Sequence, residues 1–453
     1  MTQPSIPLAA MPGSTTAVVP PQWIPLGFMF ASGVGFTGVG FSMWFGADKW
    51  VISPFHSATV TTAHMVMLAF LTTAVLGALH QFGPVVGQRP LRSVHVAAWT
   101  MVGMIVTGWT LPLGFAHGPE WLVATGAVIG VTTVTLAAWN LSGPLMSRSG
   151  GVPVVGLRLS VLYLLITVSF GIVYAFNRQE GWFPLLPTKI LAHAHLGILG
   201  WLGLTYISVS EKLWPMFLLS HRPSSRSGAI AVGGLAIGVL PLALGLLYTN
   251  PPAAWFGAVF VVVGLAAHLF SLASSVRHRR RKLELLHAFL FVSASFLLVG
   301  MVLGAIAALG DVDASLRIRI VTAEIAALAS WLGLAVIGHS HKIVPFITYS
   351  MLRARGVNNH KSGRPLLFGD LYNKKIAWGV LGASVAAFTG IVVGTLVDSP
   401  VPIALSGILI AITAITVTTN FIVGARSATP ASSTSDQIRQ RPSSTSILTK
   451  GPS

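Results

Sequence analysis

The chain has 453 residues, of which 53% are hydrophobic and only 9% charged, and it contains no cysteine. Soluble domains carry about a quarter charged residues, so a water-soluble globular protein is excluded, and without thiols so are disulfides, thiolate metal sites and cysteine nucleophiles. A net charge of +17 invites a nucleic-acid partner, but the charges lie in short clusters between apolar stretches, and the partner that pattern implies is the lipid bilayer, with no nucleic acid.

In chain order, residues 1–22 carry no Lys or Arg, which argues against a cleavable signal peptide and predicts a disordered tail. Apolar stretches long enough to cross a bilayer, which takes about twenty residues, follow at 23–45, 58–82, 94–116, 121–142, 154–177, 188–210, 228–248, 252–275, 284–308, 318–346, 376–397 and 402–424. Residues 23–424 are therefore expected to form a single all-α polytopic membrane domain of about twelve transmembrane helices. A Ser/Thr/Pro-rich tail, 425–453, is expected to be disordered. Lys and Arg gather after the even-numbered spans: Arg89 and Arg92, Arg148, Lys212 with Arg222 and Arg226, "RHRRRK" at 277–282, and Arg353 to Lys375. By the positive-inside rule this places both termini on the cytoplasmic side of a bacterial-type cell membrane. Trp44, Trp50, Trp121 and Trp214 lie near span ends, where an aromatic belt is expected.

The second, sixth and tenth spans align on prolines near their ends, Pro84, Pro215 and Pro345. Trp201, Leu202, Gly203, Leu204, Ser210 and Lys212 then match Trp331, Leu332, Gly333, Leu334, Ser340 and Lys342 without a gap. His64, Leu68 and Leu71 match His195, Leu199 and Leu202. Shared leucines are cheap in membrane helices; shared Trp, Lys, Pro and His are not. The spacing, near 130 residues, predicts three four-helix units in a pseudo-threefold arrangement.

An imidazole in hydrocarbon must be hydrogen-bonded, ligated or wet, and neutral imidazole is a common ligand for metals and heme iron. His64 and His195 share a repeat position. His193 and His195 are two residues apart, about 200° around a helix, so they face two different compartments. His117, at the end of the third span, is placed to reach the His64 layer, making His193, His195 and His117 the candidate metal set. His80, His339 and His341 form a separate layer toward the basic loops. Glu324 stands one residue before the repeat position of His64 and His195 and is a candidate proton site, with Arg317 and Arg319 as alternative partners.

Twelve spans, three arcs, and histidines on the second, sixth and tenth helices resemble the catalytic subunit (subunit I) of the heme-copper oxidase superfamily, which includes cytochrome c oxidases and nitric oxide reductases. "TAHMVM" (62–67) resembles its second-helix motif, which would make His64 an axial heme ligand, and His195 lies on a helix that in the family supplies a copper ligand. "IGHSHK" (337–342) resembles the tenth-helix motif, in which His339 and His341 would each serve a different heme. The chain departs from the family in lacking the His-His pair of the seventh helix and in having Leu199 where the cross-linked tyrosine would stand; the nearest tyrosine is Tyr206. Ile325 occupies the tenth-span position equivalent to His195 and cannot ligate. The resemblance thus implies a diverged heme-binding protein, with copper a second candidate cofactor. It would act in respiratory electron transfer or on O2 or NO beside electron-donor or respiratory partner subunits. A proton- or metal-coupled transporter, and a non-catalytic metal, nitric-oxide-response or assembly factor, stand as alternatives.

Overall fold

A computed structural model of the chain describes residues 20–147, 150–220 and 225–430. Each of the twelve expected spans falls on a helix long and apolar enough to cross a bilayer: α1 (Trp23–Ile52), α2 (Ser57–Gly87), α3 (Val94–Ala116), α4 (Glu120–Leu145), α5 (Gly151–Glu180), α6 (Pro187–Leu218), α7 (Arg226–Leu247), α8 (Pro251–Arg277), α9 (Leu285–Leu309), α10 (Ala314–Ala354), α11 (Lys374–Leu396) and α12 (Pro400–Ala425). Several helices outrun their apolar stretch because polar caps carry the winding on. At α10, 41 residues long, Asp313 accepts from the Leu316 N–H at one end and Arg353 lies in the last turn, so both termini complement the helix dipole.

The first and last helices, α1 and α12, pack on each other. Glycines let neighbouring backbones touch at the α7–α8 seam, through Gly238 and Gly257, and at the α1–α12 seam, through Gly40 and Gly407. Lipid gives no hydrophobic drive between helices, so such close packing is what holds a bundle of this kind.

The repeat is visible in hydrogen bonds as well as residue types. Ser32 on α1 donates to the Phe70 carbonyl, and Ser293 on α9 donates to the Trp331 carbonyl, each 38 residues on. Asn140 on α4 accepts from the Ser93 N–H at 2.8 Å, and Asn420 on α12 accepts from the Asn373 N–H at 2.8 Å, each across 47 residues. Both asparagines clasp the N-cap of the penultimate helix of their unit. Asn420 also donates to the Asn373 carbonyl at 3.1 Å, which keeps the Ala377 N–H, so Asn420→Ala strands the Asn373 N–H and is expected to cost about 1–3 kcal/mol. Unfolding in detergent measures it; unchanged stability would rule the clasp out as a structural element.

Two local expectations change. The residues after α12 are not irregular throughout: Ala428–Thr429 pairs antiparallel with Asn359–His360, because the loop offers free main-chain groups, Lys361 N–H donating to the Ser427 carbonyl. Residues 1–19 and 431–453, most of the two expected tails, lie outside the described residues. Trp214 is not an interfacial anchor; it is 2% exposed and packs edge-on against His287 and Phe291. Trp44 and Trp121 do face outward.

Candidate functional site

A cavity of about 90 Å³, open at its mouth, lies between α2, α6 and α10. Its lining obeys the repeat: Leu71, Leu202 and Leu332 form one layer, Ala74, Thr205 and Ala335 the next, then Val75, Tyr206 and Val336, Ala78, Val209 and His339, and finally Phe82, Leu213 and Ile343. Three equivalent helices thus present equivalent positions to one space, which places the void at the centre of the three units. The polar residues are departures from the symmetry. Thr205, Tyr206 and His339 stand where their counterparts are Ala or Val, and Ser340 adds a fourth polar group. An apolar cavity with a few converging polar groups is the usual form of a small-molecule site.

His339 holds its ring in one orientation. Its Nδ1 lies 2.7 Å from the Ala335 carbonyl. A carbonyl only accepts, so Nδ1 carries the proton and Nε2 of the neutral ring keeps its lone pair. Nε2 is buried and has no partner. The same anchoring, to the carbonyl four residues back, fixes His64 on Val60, His80 on Leu76, His195 on Leu191 and His341 on Ile337, at 2.7–2.8 Å. Nε2 of His80 and of His341 is likewise buried and unpartnered. A buried acceptor left unpaired costs about 1–3 kcal/mol, and a metal-ligating histidine typically has its other nitrogen held by such a bond.

His339 and His341 are split by the helix. His339 meets the edge of Tyr206 at 6.2 Å between centroids and faces the void. His341 packs on Phe289, Tyr372 and Phe421, within the α9–α12 unit. It shares its repeat position with His80, which stacks on Phe28 of α1, and with Glu211, whose carboxylate abuts Gly228 of α7. Each of these titratable groups therefore faces its own unit. Each also stands four residues before the repeat proline of its span, Pro84, Pro215 or Pro345, whose missing N–H leaves that residue's carbonyl without its helical partner. On α8, fully buried His268 meets Tyr206 edge-on at 5.4 Å, and neither of its ring nitrogens has a partner.

At the opposite end, π-helical segments begin directly after both repeat-equivalent histidines, at Met65–Thr72 after His64 and at Leu196–Gly203 after His195. Such widened turns often mark functional sites. α10, with Ile325 at that position, stays α-helical. His193 and His195 do point apart. The His193 ring stands 6.4 Å from that of His64 and 5.8 Å from that of Tyr174, while His195 bonds Leu191. His117 does not join them: it is the exposed C-cap residue of α3, and Phe115 takes the place beside His64, at 4.9 Å. Glu324 pairs with neither arginine. Arg317 donates to the Ala307, Gly310 and Val312 carbonyls, and Arg319 to that of Leu396, while the Glu324 carboxylate rests against Gly304.

At the basic end, Lys342 pairs with Glu284 and stands over the Phe368 ring. The loop carrying Phe368 is pinned by Arg364, which grips Asp370 through two bonds of 2.7 Å. That guanidinium, with the Leu367 N–H, holds the Asp370 carboxyl below its ordinary range.

Heme needs an imidazole with a fixed lone pair and apolar surroundings beside it; His339 has such a nitrogen and lines an apolar cavity that is open at its mouth. A copper ion held open by three histidines does not fit: among the described residues no three His, Asp or Glu side chains stand close enough to hold one ion. The set His193, His195 and His117 is dispersed because the first two face opposite sides of α6 and the third caps a different helix. Thr205 and His268 carry no motif; the detectable signal was a polar residue breaking an apolar repeat. A comparison with protein-family models finds no match, and a comparison with curated proteins finds none either.

Proposed function

We propose that the chain is a heme-binding integral membrane protein acting in respiratory electron transfer or on small diatomic gases, with His339 as the axial ligand. The observation that carries this is a lone-pair nitrogen on a ring fixed by the Ala335 carbonyl, itself buried and unpartnered, on a residue lining an apolar cavity at the centre of the three units. When bound, heme would supply one-electron chemistry and a coordination position for a diatomic ligand. The leucine and alanine layers exclude water, Trp331 and Tyr206 fix the edge of the site, and the unpartnered Thr205 hydroxyl stands ready to hold a polar substituent. His341 and His80 offer two more prepared ligands. Within this reading Glu324 is a proton-holding group, the basic end faces the cytoplasm, and electrons arrive from a partner subunit.

The test is heme stoichiometry by pyridine hemochrome on detergent-purified protein from heme-supplemented cells. About one heme or more per chain is expected, with His339→Ala losing at least one equivalent and His117→Ala, at an exposed cap, losing none. Equal heme in wild type and His339→Ala would remove His339 from the site.

A further inference from the structure

We infer that His64 and His193 form a separate two-imidazole site for a late first-row transition-metal ion, between α2 and α6 at the end of the bundle opposite the basic loops. The rings come from different helices, stand 6.4 Å apart between centroids and lie 23° from parallel. Two imidazoles gripping one ion from opposite sides, with metal–nitrogen bonds of about 2.0–2.1 Å, bring their centroids to about 6 Å. Aromatic packing spans the same distance, so the nitrogens decide. Nδ1 of His64 is committed to the Val60 carbonyl at 2.8 Å, which leaves the Nε2 lone pair free. On His193 it is Nδ1 that is buried without a partner.

Each ring therefore keeps one nitrogen without a protein partner. Both residues are half-buried, against Phe115 and Tyr174, so an ion there is shielded on its aromatic sides and retains positions for an outside ligand. Arg178, which stands over the Phe115 ring, pairs with Glu120 at 3.9 Å, and both are exposed. Imidazole ligands without carboxylate or thiolate select copper, zinc, iron or nickel over calcium or magnesium. The site is independent of heme at His339, which lies on another helix and in another layer.

Copper(II) titration of chelator-stripped, detergent-purified full chain tests it, with bound imidazoles counted by pulsed electron paramagnetic resonance. One tightly held ion per chain with two imidazoles is expected. His64→Ala and His193→Ala should each reduce the count to one and weaken binding at least tenfold, and His195→Ala should change neither. His64→Gln and His193→Gln, which preserve bulk, should behave like the alanine variants and elute as monodisperse protein. No ion above background in the wild type would overturn the site. So would an unchanged imidazole count in both His64 and His193 variants, which would assign the copper to other histidines.

Discussion

Replacing Trp201 with alanine is expected to destabilise the protein by about 3–5 kcal/mol. Trp201 is 1% exposed, and its Nε1 donates to the Thr72 hydroxyl at 3.1 Å. It lies in the π segment of α6, and Thr72 closes the π segment of α2. One side chain thus fills the space between the two widened turns and bonds them together. Alanine empties that space and leaves Thr72 without its donor. Trp201→Phe keeps most of the volume and removes only the bond, so its cost should be about 1 kcal/mol. Denaturation in mixed micelles separates the two; equal losses for both variants would show that volume at this position does not matter.

Valine at Gly407 is expected to act on the seam between the first and last helices. A Cβ there would lie 2.6 Å from the Trp44 nitrogen and 2.7 Å from the Gly40 carbonyl oxygen. Both are main-chain atoms of α1, so no side chain can swing away and the helices themselves must part. Overpacking typically costs about 1–3 kcal/mol, and a backbone obstacle along a seam of matched glycines belongs at or above the upper end. Gly379→Ala is the control, since a Cβ there meets nothing within 4 Å, and it should leave the thermal midpoint unchanged or raise it. Wild-type stability in Gly407→Val would mean that α1 and α12 do not touch here.

The spans and the threefold repeat were legible in the sequence because both rest on long-range regularities: twenty-residue apolar runs, and Trp, Pro and His recurring at a spacing near 130 residues. The alignment on Pro84, Pro215 and Pro345 already contained the layers of the void. What it lacked was the rotation of α10, which sends His339 to the centre and His341 into its own unit, a difference of two residues that only packing decides. The π segments were hidden as well, since an apolar run does not reveal the width of its turns. Likewise His117 was grouped with His64 by depth alone, but where a helix ends determines whether its last residues face the bundle or water. Trp214 was misread for the opposite reason: a position near a span end predicts an interface, and the crossing of α9 over α6 buries it.

The most direct measurement is the visible spectrum of the purified wild-type protein, oxidised and then reduced with dithionite. The account predicts a Soret band that shifts on reduction, with sharpened bands at longer wavelength, in protein whose monodispersity shows it to be folded. Folded protein from heme-replete membranes with no Soret absorbance would contradict it, and the void between α2, α6 and α10 would then belong to some other ligand.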